Sequence, residues 1–299
     1  MSTASVVFSG PASPGLTLAP LRRSAGDPCT RVTADGTIWR TSLLRSGPVT
    51  ACIAKSAPDT VDCEAWGDGA AEFLDGLPGF LGAADDATGF DPVEPTIAEA
   101  HRRVPHLRLG RTGRVLEALI PAVIEQRVYG MDAWRAWRAL VNRFGAPAPG
   151  PAPGGMRVPP TAEVWRRIPS WEFHRANVDP GRARTIVGCA QRADALERLT
   201  AERAVTGLQS LPGVGIWTAA ETVQRAFGDA DALSVGDYHL AKVVGLSLLG
   251  RPIDDTAMVE LLEPLRPHRH RAVRLLEASG LAAVPRRSAR QAIPNLRAL

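Results

Sequence analysis

The sequence predicts an α+β protein, β-rich near its N-terminus and helical through most of the remainder. Three observations carry that expectation. Residues 27–66 hold three runs rich in β-branched or aromatic residues, each bounded by Gly, Pro or Asp. From about residue 96 the apolar residues recur at helical spacing. The chain, at 299 residues and 45% hydrophobic, is long enough for two domains.

The start, MSTASVVFSGPASPG, has neither the basic region nor the long apolar stretch of a signal peptide, and residues 1–20 are expected to be a flexible tail. A β-rich domain over 21–95 follows. Its strands are TIWRTSLL, GPVTACIAK and DTVDCEAW, with a turn around Asp35-Gly36 between the first two, and AAEFLDGLPGFLG adds a short helix. The helical domain, 96–285, opens with TIAEAHRRV and VLEALIPAVIEQRV, where Pro121 is expected to kink or start a helix. In MDAWRAWRALVNRF, Trp134, Trp137, Val141 and Phe144 share one stripe and read as core. APAPGPAPGG cannot be helical, so 146–160 is a loop. TAEVWRRI, GRARTIVGCAQRADALERL and AERAVTGL resume the helices, and 286–299 reads as a basic tail.

Composition removes several function classes. No apolar run reaches the length of a membrane span. Four cysteines (Cys29, Cys52, Cys63, Cys189) form no CxxC pair, which argues against a zinc ribbon or an iron–sulfur cluster and for free thiols in a reducing cytoplasm. His268 and His270 flank Arg269 without the spacing of a metal site. Net charge is only +4, but it is segregated. Positions 56–99 hold eleven acids and no Lys or Arg; 101–143 hold nine arginines against three acids, and 266–299 eight against one. Arginine-rich later segments fit a polyanionic partner.

Between the helical runs AERAVTGLQS and IWTAAETVQRAF lies SLPGVG. Gly213 and Gly215 permit positive φ and bring bare amides outward at the start of the second helix, where unpaired donors and the helix dipole favour an anion. Glycines in that arrangement also make an ordinary turn. Downstream the chain reads GDYH, with Asp237 where a further helix begins, an ordinary N-cap position.

The string LPGVGxxTA with GDYH downstream resembles the helix-hairpin-helix DNA glycosylase superfamily, and within it the bacterial 3-methyladenine DNA glycosylase II family. The likeness extends to the sheet-forming N-terminal part, PAVIEQRV, PPTAEVW and RPHRHRAVRLL. It implies a mostly α-helical, two-lobed helix-hairpin-helix core beside an N-terminal antiparallel β-sheet domain. It also implies double-stranded DNA as partner, bent across the cleft with a damaged base flipped in.

The same resemblance implies roles residue by residue. Asp237 takes the place of the catalytic aspartate, an anion beside C1′ of an oxocarbenium-like sugar. Trp217 stands where strand-cutting relatives carry a Schiff-base lysine, which implies a monofunctional enzyme leaving an abasic site. Trp217 either walls the base pocket or is plain core. The 3-methyladenine DNA glycosylase II family has an aromatic residue at the position of Glu221 and another near that of Glu277, which implies here an acidic pocket suited to cationic alkylated purines. On its helix Glu221 should share a face with Trp217, with Ile216, Ala219, Ala220 and Val223 on the buried side; alternatively it pairs with Arg225 on a wet surface. Gln126 or Arg127 would fill the gap left by the flipped base. Gly213, Val214, Gly215 and Thr218 would meet the DNA backbone, and Arg269, Arg271 and Arg274 are phosphate candidates. Backbone carbonyls of Gln209, Leu211 and Val214 would hold a monovalent cation, Na+ or K+, with no other cofactor. The expected protein is a cytoplasmic, nucleoid-associated monomer of base excision repair. Its rivals are a glycosylase for deaminated or oxidised bases and a non-catalytic binder of damaged DNA.

Overall fold

A computed structural model describes residues 1–283, and the expected basic tail at 286–299 lies outside them. The first strand, β1 (Ser2–Val7), is followed by the short helix α1 (Pro14–Leu18) and a 3-10 turn at Ala19–Leu21. Strands β2 (Thr30–Val32), β3 (Ile38–Leu43), β4 (Pro48–Ala57) and β5 (Thr60–Trp66) complete an antiparallel sheet of order β1-β5-β4-β3-β2. Helix α2 (Ala70–Phe80) covers it. Along β5, Val61, Cys63 and Ala65 point into the core formed with α2, while Thr60, Asp62 and Glu64 alternate outward.

Residues 1–20 are therefore not a tail. β1 pairs with β5 from Ser2 opposite Ala65 to Val7 opposite Thr60, and Val6 and Phe8 are buried in the sheet core. The turn at Asp35-Gly36 joins β2 to β3, one strand earlier than expected; Thr33 and Asp35 close it with side-chain bonds to Thr37.

Helix α3 (Pro95–Arg103) starts at Glu94, whose carboxylate accepts the Ile97 amide. Next come α4 (Val115–Glu125), α5 (Gly130–Phe144), α6 (Ala162–Arg167), α7 (Ser170–Arg175), α8 (Pro180–Gln191), α9 (Ala193–Leu196), α10 (Ala201–Gln209), α11 (Ile216–Ala226), α12 (Leu240–Leu249), α13 (Asp255–Leu262) and α14 (Arg269–Ser279). Pro121 lies inside α4, a helix with nine of its eleven residues buried. Loop 146–160 makes one two-residue ladder, Ala146–Pro147 with Arg157–Val158. It ties the sheet to the helices, since Thr41 donates to the Arg157 carbonyl at 2.6 Å.

Two apolar cores divide the helices. One gathers α4, α5, α8, α10 and α11 around Leu119, Ile124, Trp165, Phe173 and Leu208. The other packs α3 with α12, α13 and α14 around Ile97, Val244, Met258, Leu262 and Leu275. The chain crosses from the first lobe to the second over 227–239, and the site lies at that crossing.

Candidate active site and nucleic-acid interface

Helices α10 and α11 form the hairpin, and the sequence leaves its turn little freedom. Gly213 has φ +85°, and a Cβ there would collide with the Thr185 hydroxyl of α8. Leu211 and Val214 are buried and anchor the turn. Among the described residues nothing lies within reach of a Cβ added at Gly215 and no side chain caps α11, so its first amides open beside exposed Gly215 and Ile216. Ile216 is 60% exposed, whereas Ala219, Ala220 and Val223 do form the buried side.

Two expected DNA contacts are internal instead. Gln126 Nε2 donates to the Gly213 carbonyl at 2.9 Å and to Thr218 Oγ1 at 2.8 Å, and Thr218 is buried. Their pairing stitches the end of α4 to the hairpin. Arg127, by contrast, is exposed, sits at φ +53°, and makes no hydrogen bond or ion pair among the described residues.

Asp237 is held from three directions. Oδ1 accepts the amides of His239 (2.8 Å) and Leu240 (2.9 Å) at the start of α12, and Oδ2 accepts the indole N–H of Trp217 at 3.1 Å. Trp217, half-buried, thus fixes the rotation of the carboxylate. Neither sequence reading of this indole, base-stacking wall or plain core, included that bond.

Beside Asp237 opens a cavity of about 360 Å³ between the lobes. Its walls come from α11 (Glu221, Gln224, Arg225), the crossing segment and α12 (Ser234, Asp237, Val243), α14 (His270, Arg274, Glu277) and the N-terminal stretch Thr17–Leu21. Among the described residues no Phe, Tyr or Trp lines it. Glu221 does pair with Arg225, at 2.8 Å, but in a half-buried network and not on a wet surface: its other oxygen accepts Ser234 Oγ at 2.5 Å. Burial disfavours charge on Arg225, but Glu221 and Glu125 outweigh it and hold the guanidinium above its ordinary range. Arg225 also donates to the Pro20 carbonyl, and Arg274 to that of Leu16, so the N-terminal stretch is fastened over the cavity. Arg274 pairs with the half-exposed Glu277 at 2.5 Å. The two carboxylates expected to make the pocket acidic, Glu221 and Glu277, are thus each balanced by one guanidinium.

No protein-family model matches the chain, and no curated protein matches it in sequence. Solved structures do match it over nearly their whole length. A 3-methyladenine DNA glycosylase from Archaeoglobus fulgidus superposes with TM-score 0.74 at 17% identity, covering 93% of this chain and 98% of the other. MBOgg1, in complex with a low-affinity DNA ligand, gives 0.72 at 14% identity, covering 94% and 96%. The apo 8-oxoguanine glycosylase/lyase of Clostridium acetobutylicum gives 0.68 at 13%, covering 95% and 97%. The chain has the fold of the helix-hairpin-helix DNA glycosylases.

Within that glycosylase fold the arginines of α14 are structural. Arg269 clamps Asp231 with bonds of 2.8 and 2.6 Å, and Arg271 grips Asp85 at 2.8 and 2.7 Å and the Asp86 carbonyl at 2.9 Å. Both arginines are buried, and Arg274 is largely so, which withdraws all three as phosphate contacts in this conformation. Their acidic partners come from distant stretches of chain, which local sequence does not reveal. Sequence reasoning also missed Ser234, the Thr17–Leu21 wall and the place of His270 in the cavity; no motif marks them. Among the described residues no group of three or more His, Cys, Asp or Glu side chains could hold a metal ion. The Gln209, Leu211 and Val214 carbonyls all belong to the hairpin end of α10 and its turn, and that of Leu211 already accepts the Val214 amide at 3.1 Å. No described helix is long and apolar enough to cross a membrane.

Proposed function

We propose that this protein is a monofunctional DNA glycosylase that hydrolyses the N-glycosidic bond of a damaged purine flipped out of duplex DNA and leaves an abasic site. One observation carries the reading: the Asp237 carboxylate, fixed by Trp217 and the α12 amides, borders a cavity sized for a small ligand. As the C1′–N bond breaks, its electron pair leaves with the base and the sugar becomes cationic. The carboxylate stabilises that charge and takes a proton from the water that attacks C1′, while the departing base is protonated. Trp217 has no amine for an imine, so hydrolysis is the outcome in place of strand cleavage. The open amides at Gly215 and Ile216 are suited to a backbone phosphate, and Arg127 to the gap left in the duplex. A Na+ or K+ ion on the turn carbonyls, and a monomer acting alone on DNA, belong to the same proposal.

For the lesion, two observations point apart. The tryptophan at position 217 and the likeness to 3-methyladenine glycosylases support alkylated purines. The balanced, non-aromatic cavity favours the second reading, a neutral deaminated or oxidised base, because a cationic base finds neither net negative charge nor an aromatic face there. Incubating the protein with duplexes containing 7-methylguanine, 3-methyladenine, hypoxanthine or 8-oxoguanine and measuring free base tests both. Release of none of them, with damage-specific binding intact, overturns the enzymatic reading.

A further inference from the structure

Most polar side chains around the cavity already have partners: Arg225 with Glu221, Arg274 with Glu277, Gln224 with Ser234 and the Ala232 carbonyl, Arg108 with the Pro11 carbonyl. Two that are not exposed have none among the described residues, Thr17 on α1 and His270 on α14. They reach the same cavity from different walls. Their hydroxyl and imidazole open on the cavity and are free to pair with a ligand.

We propose that His270, assisted by Thr17, is a specificity-determining residue that hydrogen-bonds the edge of a flipped purine carrying a carbonyl next to a ring N–H. This rests on the glycosylase reading above and names a reader for its second lesion class. The charged and titratable groups sharing its cavity are Arg274 and Glu277 on its own helix, Arg225 and Glu221 on α11, Arg108 from the α3–α4 connection, and Asp237 and His239 from the crossing segment; Arg271, the next residue, acts on it from outside the cavity. Removal from water, then Arg274, Arg225 and Arg271, push its pKa well below the ordinary value. The neutral ring offers one N–H donor and one bare nitrogen acceptor, which match a carbonyl and an adjacent N–H respectively. A base without those groups leaves the pair unanswered, and a site built on hydrogen bonds rejects such analogues strongly.

The test measures single-turnover release of hypoxanthine and of unsubstituted purine, both neutral, from otherwise identical duplexes by the full-length protein. Wild type should release hypoxanthine faster. In His270→Phe the hypoxanthine rate should fall on the order of ten- to a hundredfold, far more than the purine rate, and His270→Asn should recover part of it. Thr17→Val should shift the ratio the same way, by less. Affinity for a duplex with a tetrahydrofuran abasic analogue reports folding and DNA binding, because no base enters the cavity. Equal loss on both bases with that affinity intact, or no change on either, overturns the role of His270 alone. A wild type that releases 7-methylguanine but neither of these bases overturns this proposal alone; one that binds the abasic analogue and releases none of the three overturns the glycosylase reading with it.

Discussion

Helices α11 and α14 both line the cavity, and they use their polar residues differently. α11 turns its polar face to the crossing segment: Trp217 to Asp237, Glu221 to Ser234. These bonds fix the direction of groups that border open space. α14 points Arg269 and Arg271 away from the cavity into bidentate clamps on Asp231 and Asp85, which hold the second lobe to the acidic loop at 85–86 and to the crossing segment. Among its described polar residues His270, Arg274 and Glu277 meet the cavity, with Val273 beside them. A run of arginines in a sequence is therefore no measure of free positive charge. What decides is whether the fold delivers a carboxylate to each, and for α14 it does.

If this contrast holds, changes on the α11 side alter activity at constant stability, and changes in the clamps of α14 do the reverse. The largest effect belongs to Asp237→Asn, which keeps the shape and loses the charge. Base release should fall by at least about a hundredfold, while affinity for an abasic analogue stays near wild type. Turnover at the wild-type rate would remove Asp237 from the mechanism.

Next in size is Arg271→Ala. It strands the Asp85 carboxylate, 5% exposed, and should cost about 3–5 kcal/mol in urea unfolding. Rates per folded molecule should stay close to wild type; a DNA affinity that falls with unchanged stability would restore the phosphate role. Trp217→Phe removes one hydrogen bond to Asp237 and should slow release by roughly tenfold with little change in melting temperature. Gly215→Val fits the open space at the turn, unlike any substitution at Gly213. Its side chain should obstruct the α11 amides and weaken binding to all DNA sequences alike, by roughly three- to tenfold. A normal Kd in that variant would make the hairpin a turn and nothing more.

The smallest effect is a pH dependence of stability from His270. Its folded pKa is depressed, so the unfolded chain binds the proton more readily. This contribution is constant above the ordinary imidazole value, about pH 6.5, and declines as pH falls below it. Comparing wild type with His270→Phe between about pH 5 and 8 isolates it. A slope of the opposite sign would mean the ring is charged in the folded protein.

How much of this was legible depended on the distance between partners. LPGVG, Trp217 and Asp237 lie within 27 residues, and their local constraints (positive φ, helix start, i+4 pairing of Glu221 with Arg225) are written in consecutive letters. Strands β3, β4 and β5 were legible for the same reason. β1 was not: it is an edge strand with one buried residue in six, so its alternation is faint and its partner β5 lies far along the chain. The partners of Arg269 and Arg271 stand 38 and 186 positions away, and the Gln126–Gly213 bond spans 87. No periodicity encodes such pairings. His270 carries no signal until the cavity around it is visible.

The fastening of Thr17–Leu21 over the cavity also bears on what a minimal enzyme could be. A fragment cut at the start of α3 would retain the hairpin, Trp217 and Asp237, every part that resembles known chemistry. It would lose one side of the chamber and the carbonyls of Leu16 and Pro20 that steady Arg274 and Arg225. Such a fragment would keep its reactive group and lose its discrimination, accepting bulkier and undamaged bases alike. On the proposed function, the segment between β1 and β2, held in place by a small sheet that looks like an appendage, is what would keep the reaction away from intact DNA.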